Sequence, residues 1–156
     1  MQTPILLFVC TGNTCRSPMA AALASSIYKD RGIDITILSA GVAAGDGFSA
    51  SKNAVLAMQD EGLNLSTHVS TQVTQALLER ATLVLTMTEA HCEAVKHILP
   101  TANAYTLCEY CDEDKPFVNI SDPYGGNLEV YKNCAKQIKT LLHALVDIKN
   151  FGRTYE

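Results

Sequence analysis

The chain has no surplus of positive charge: 12 Lys and Arg stand against 16 Asp and Glu, for a net charge of −4. Sequence-independent nucleic-acid binding needs a basic face, so that class of function is excluded. Also missing is any apolar run near the roughly 18 residues that span a bilayer. No basic amphipathic segment suits a membrane surface. The first apolar run, 4-PILLFVC-10, is too short for the core of an export signal, and only Met1-Gln2-Thr3 precede it, without positive charge. These absences set the expectation of a cytoplasmic protein with neither membrane nor nucleic-acid partners. No internal repeat or low-complexity segment interrupts the 156 residues, so a single domain over 1–156 is expected.

What is present begins with six cysteines: Cys10, Cys15, Cys92, Cys108, Cys111 and Cys134. An exported chain could pair them all, but the reducing cytosol keeps thiols, and most are expected unpaired. Short apolar runs alternate with amphipathic stretches. Buried strands are expected at 4-PILLFVC-10, 34-DITILSAG-41 and 82-TLVLTM-87, with a short fourth at 104-AYTL-107. Helices are expected at 19–32, with Ser17 as N-cap and Pro18 opening the first turn, then at 52–62, 73–81, 89–99 and 127–150. An irregular stretch, 108–126, holds 122-DPYGG-126, and long loops in compact domains are often functional. The alternation predicts an α/β three-layer sandwich: a parallel sheet with helices on both faces. Sites in such sheets lie beyond the carboxyl ends of the strands, where Cys10 ends the first one.

The stretch 9-VCTGNTCRSPMA-20 carries the chemistry. A strand turning sharply into a helix aims backbone N–H groups at one point and makes an anion nest at a positive helix end. Gly12 is read as the turn residue. The planar guanidinium of Arg16 can bind two oxygens of a phosphate at once. The same positive field favours a thiolate over a thiol, which makes Cys10 a nucleophile beside phosphorus. Alternatives fare worse. Cys-x4-Cys lacks the four ligands of a structural zinc site; Cys108-x2-Cys111 could add a pair, but Arg16 would repel the ion. No metal or cofactor is expected. A Walker loop would need Gly-Lys-Ser/Thr, which is absent. A lone cysteine ending a buried strand is ordinary packing; the C-x5-R-S arrangement is not.

With 122-DPYGG-126 downstream, VCTGNTCRSPMA resembles the low-molecular-weight protein phosphatases over essentially the whole chain. That resemblance implies a four-stranded parallel sheet and a metal-free mechanism in two steps. Cys10 would attack phosphorus to form a phosphocysteine. Arg16 and the N–H groups of residues 11–16 (Thr11, Gly12, Asn13, Thr14, Cys15 and Arg16) would hold the phosphoryl oxygens, Ser17 would support the thiolate, and Asn13 would brace the loop. Asp122 would serve as general acid, then general base. Cys15 resembles the redox partner that protects the nucleophile by a reversible disulfide.

Two branches of the family differ at Thr14, where bacterial tyrosine phosphatases often carry Ile and the protein-arginine phosphatases read CTGNTCRSPMA. A smaller hydroxylated side chain leaves polar room for a branched guanidinium. Tyr124 departs from the Phe usual in the arginine branch, whereas Gly125-Gly126 fit it, and Tyr124 would wall the cleft in either case. The reading leans to phosphoarginine on phosphorylated proteins, handled by a monomer. Arsenate reduction would need two further cysteines after the third strand, where only Cys92 stands. A binding module with a dead loop is opposed by the intact Cys10, Arg16 and Asp122. Cys108 and Cys111 are expected to be inert, Ser39 to serve a turn ahead of supporting the catalytic loop, the histidines mostly to lie at the surface, and 112-DEDK-115 to form a solvated rim.

Overall fold

The computed structural model describes residues 3–111 and 119–148. The 112–115 reading and the last residues of the expected final helix lie outside them. Four strands, β1 (Ile5–Cys10), β2 (Thr36–Gly41), β3 (Leu83–Thr86) and β4 (Ala104–Thr106), form one parallel sheet in the order β2-β1-β3-β4. The chain first winds outward from β1 to β2, then crosses back to β3. The topology therefore reverses between β1 and β3, which is where ligands bind in open α/β sheets.

Alternation along β1 builds the two faces. Leu6, Phe8 and Cys10 point toward α1 (Arg16–Asp30), α2 (Lys52–Asp60), α5 (Leu107–Cys111) and α6 (Leu128–Val146). Leu7 and Val9 point the other way, toward α3 (Gln75–Arg80) and α4 (Glu89–Ile98). All four side chains from Leu6 to Val9 are fully buried, as a central parallel strand with helices on both faces requires. On α6 the expected stripe faces inward, with Tyr131, Ala135, Ile138, Leu142 and Leu145 buried and Leu128 packed at its edge. This is the three-layer sandwich expected from the alternation. Among the described residues no helix is long and apolar enough to cross a membrane.

Three local expectations are corrected. First, α1 starts at Arg16 with Cys15 in the N-cap position, so Ser17 is not the cap and Pro18 is the third helical residue. The Ser17 hydroxyl is already engaged with Cys10, Asn13 and the Ala40 carbonyl, and Pro18 is tolerated because a first-turn N–H has no helical partner anyway. Second, residues 107–111 form a short helix where the last residue of a strand and the start of an irregular stretch were expected. Thr106 Oγ1 accepts from the Glu109 N–H at 3.1 Å, and Glu109 Oε1 accepts from the Thr106 N–H at 3.0 Å. That reciprocal capping box was present in the letters T-L-C-E. Third, α6 ends at Val146, with Asp147 as its cap, earlier than expected.

Candidate active site

Cys10 ends β1 and its side chain is 3% exposed, with Sγ 2.8 Å from Ser17 Oγ. Between them the loop 11–15 is held from outside. The carbonyls of Cys10, Thr11 and Thr14 accept from the N–H groups of Val42, Ala43 and Ser51, each at 2.9 Å. His68 Nε2 lies 2.7 Å from the Asn13 carbonyl. With its acceptors turned outward into the protein, the loop presents donors to its inner side.

Asn13 is the keystone of this turn. It is the one non-glycine residue among those described with a left-handed backbone (φ 55°), a conformation Asn tolerates better than most residues. Gly12, read as the turn residue, does not hold that conformation. The Asn13 amide donates to Ser17 Oγ at 2.8 Å and to Ser39 Oγ at 3.0 Å, while its carbonyl oxygen accepts from the Thr71 N–H at 2.9 Å. Ser39, within β2, therefore supports the loop directly, the second of its two expected roles, and serves no turn. Nearby, a Cβ on Gly41 would come within 2.3 Å of the Thr11 carbonyl, so only glycine allows β2 to approach the loop this closely.

Arg16 is nearly buried and bridges to the opposite wall. Its Nη1 donates to the Ile120 carbonyl at 2.8 Å, and its Nη2 lies 3.6 Å from Asp122 Oδ2. Ile120 is fixed in turn by its N–H to the Met87 carbonyl at 2.8 Å, which ties residues 120–122 to the end of β3. Asp122 Oδ1 accepts from the Tyr124 N–H at 3.1 Å, and the Asp122 side chain is about half exposed. Between these walls opens a cavity of about 240 Å³. Cys10, Thr11, Gly12, Thr14, Cys15 and Arg16 line it from the loop, and Asp122 and Tyr124 from the opposite side. Asn13 and Ser17 are buried beneath the loop. The structure thus gathers every residue singled out in the two motifs.

Behind the loop, Cys15 Sγ sits 3.4 Å from Tyr131 Oη and 3.5 Å from Ser51 Oγ. Burial, with the Cys15 contact second, pushes the Tyr131 phenol up to about 12. Burial likewise pushes the Cys134 thiol up to about 12, although Arg16 works against it, so Cys134 is a packed, unreactive thiol. Cys92 is buried on the far face of the sheet.

Two histidines correct the surface expectation. His68 is half-buried against the loop, and His91 is 5% exposed, with Nε2 2.8 Å from Thr11 Oγ1. Burial first, then the Arg16 charge, lowers His91 to about 4, with Asp122 opposing. His97 and His143 are exposed, as expected. No motif in the sequence marks His68 or His91, because their partners lie 55 and 80 residues away.

A thiol, a guanidinium and a carboxylate around a donor-lined cradle are the parts of a cysteine-dependent phosphatase. The family described as low molecular weight phosphotyrosine protein phosphatase matches residues 5–154, and the chain belongs to it. The protein is therefore a hydrolase acting on phosphoproteins. Among its relatives is the protein-arginine-phosphatase of Bacillus subtilis (strain 168), 38% identical over 146 residues, covering 90% of this chain and 93% of that one. The low molecular weight protein-tyrosine-phosphatase PtpB of Staphylococcus haemolyticus is 36% identical over 141 residues, covering 90% and 96%. A solved YwlE arginine phosphatase, a mutant with a phosphorylated active-site serine, superposes with a TM-score of 0.90 at 36% identity, covering 97% and 99%.

Proposed function

We propose that this protein removes phosphoryl groups from phosphorylated proteins through a phosphocysteine, with phosphoarginine as its preferred linkage. The supporting observation is the cavity itself: Cys10 lines it from the end of β1, and Thr14, with its small hydroxylated side chain, stands on its wall. Cys10 attacks phosphorus while the N–H groups of residues 11–16 and the Arg16 guanidinium hold the oxygens on which charge develops. The P–N bond breaks as Asp122 gives its proton to the departing guanidine, which leaves as guanidinium. Asp122, now a carboxylate, takes a proton from water; that water attacks phosphorus, and Cys10 departs as a thiolate stabilised by the Ser17 hydroxyl. Such acid–base assistance is typically worth about 10²–10⁴ in rate. No cofactor enters any step.

The second reading is a preference for phosphotyrosine, favoured by Tyr124, which is 77% exposed at the cavity and could stack on a flat phenol. Peptides of matched sequence carrying phosphoarginine or phosphotyrosine separate the two. The expected result is a higher kcat/KM on phosphoarginine, reversed by Thr14→Ile. A preference for phosphotyrosine in the unmodified protein would assign it to the tyrosine branch.

The same reading places the protein in the cytoplasm, as a monomer and a single domain over 1–156. Cys15 serves as redox partner: peroxide converts the Cys10 thiolate to a sulfenic acid, and the Cys15 thiol displaces water from it to close a disulfide. Activity lost to peroxide should return with a dithiol, and Cys15→Ala should recover less. Equal recovery in both proteins would remove Cys15 from this role.

A further inference from the structure

His91 is a buried side chain that the mechanism above does not use. It stands in the first turn of α4, beneath Thr11, the residue that follows the nucleophile. Its Nε2 is 2.8 Å from Thr11 Oγ1, while Nδ1 is buried with no hydrogen-bond partner among the described residues. Leaving a buried imidazole nitrogen unpaired is costly, so its retention calls for a physical reason.

The surroundings decide which nitrogen carries the proton. The start of α4 has the partial positive charge of a helix N-terminus, partly offset by Glu89 in its first turn, and the Arg16 guanidinium opposes a charged ring more strongly than Asp122 favours one. An N–H at Nδ1 would add an unpaired positive edge to that field. A bare lone pair there is favoured instead, which places the single proton of the neutral ring on Nε2. The Nε2–H then donates to Thr11 Oγ1, and the Thr11 hydroxyl cannot direct its own proton back at the ring. Thr11 is exposed and lines the cavity, and its carbonyl is pinned by the Ala43 N–H at 2.9 Å, so the residue has little freedom to turn away.

We propose that His91 and Thr11 form one anion-binding unit: His91 Nε2–H fixes the Thr11 hydroxyl so that its proton points at an oxygen of the phosphoryl group. His91 is the positioning residue and Thr11 the group that touches substrate. The proposal deepens the phosphatase reading and rests on the same site.

The test is a double-mutant cycle read in the inhibition constant of inorganic phosphate and in kcat/KM. Thr11→Val keeps the shape of the side chain and removes the hydroxyl; His91→Leu removes the donor. Each is expected to raise the phosphate inhibition constant about tenfold, the scale of one hydrogen bond to a charged group. The double variant should be no worse than the poorer single one. His91→Gln, whose side-chain N–H can replace Nε2–H, should restore most of the loss. Multiplicative effects, or a His91→Leu protein that melts earlier with unchanged phosphate inhibition, would overturn the pairing. Should His91→Leu fail to fold, the other two variants still decide: Thr11→Val with unchanged phosphate inhibition removes the unit. Wild-type protein that binds phosphate but turns over neither linkage would refute the phosphatase reading separately, because the cycle can then be read in phosphate affinity alone.

Discussion

Helices α2, α3, α4 and α6 all begin in the same way, and α1 does not. Ser51, Thr74, Thr88 and Asn127 each turn a side-chain oxygen onto an N–H of the first turn. This is the ordinary way to satisfy donors that lack helical partners. Helix α1 has Cys15 in the capping position, with no side-chain cap and no acidic residue in its first turn. Its Ser17, the side chain best suited to capping, is turned instead onto Cys10. These four helices, like α5 with its Thr106–Glu109 box, are finished by their own sequence. Helix α1 leaves its positive end open toward a cavity that also holds Arg16, and in the proposed mechanism the substrate's phosphoryl group takes the place of the missing cap.

The contrast can be broken from either side. Removing the nucleophile has the largest effect: Cys10→Ala should reduce turnover to background on every phosphorylated substrate. Arg16→Lys keeps the charge but loses the planar fork and its hold on the Ile120 carbonyl, so kcat/KM should fall about 10²–10³-fold, the scale for losing one oxyanion donor. Asp122→Asn should lower kcat/KM, which covers the steps up to the phosphocysteine, by about 10²–10⁴ on a phosphoprotein, and far less on an aryl phosphate whose leaving group needs no proton.

Acid should weaken the fold as well as the chemistry. His91 is lowered from 6.5 to about 4, so between those values the unfolded chain binds a proton that the folded chain refuses. Stability is therefore expected to fall as pH drops from about 6.5 toward 4 and to level off below, by at most about 3 kcal/mol from this group. Denaturant midpoints for wild type and His91→Gln measure it; parallel pH profiles would show that the ring contributes nothing. The smallest effect belongs to an ordinary cap. Thr74→Ala should cost about 1 kcal/mol in chemical unfolding while kcat/KM stays unchanged.

How much of this could be read in advance depended on distance along the chain. Cys10, Arg16 and the cradle between them occupy seven consecutive residues, and Asp122 sits in a recognisable Asp-Pro turn, so their meeting at one cavity was legible. The sheet and its flanking helices followed from apolar runs and amphipathic stretches of ordinary length. Of what holds the loop in shape, the Asn13 brace and the Ser39 support were among the expectations, and the rest was not legible. His68, Thr71 and His91 meet it from positions 55 to 80 residues away, and nothing local to each residue announces the contact. The start of α1 was misplaced because a Ser-Pro pair usually opens a helix, and only the folded site shows the Ser17 hydroxyl already committed. Glycine usually fills a turn position, which favours Gly12 in the sequence; the Asn13 side chain has enough partners to hold the strained position itself. The α5 capping box was available in the sequence, but four residues following so short a strand did not stand out as a helix start.

Trapping the intermediate tests the central claim most directly. Protein mixed with a phosphorylated peptide is quenched within the first turnover, digested, and examined by mass spectrometry for a phosphoryl group on the peptide that contains Cys10. The expected result is phosphate on Cys10 in the wild type, absent from Cys10→Ala, and accumulating further in Asp122→Asn given an aryl phosphate, whose departure needs no proton while water is no longer activated. Turnover with no phosphate on Cys10 at any quench time in either protein, or the same modification in Cys10→Ala, would contradict it.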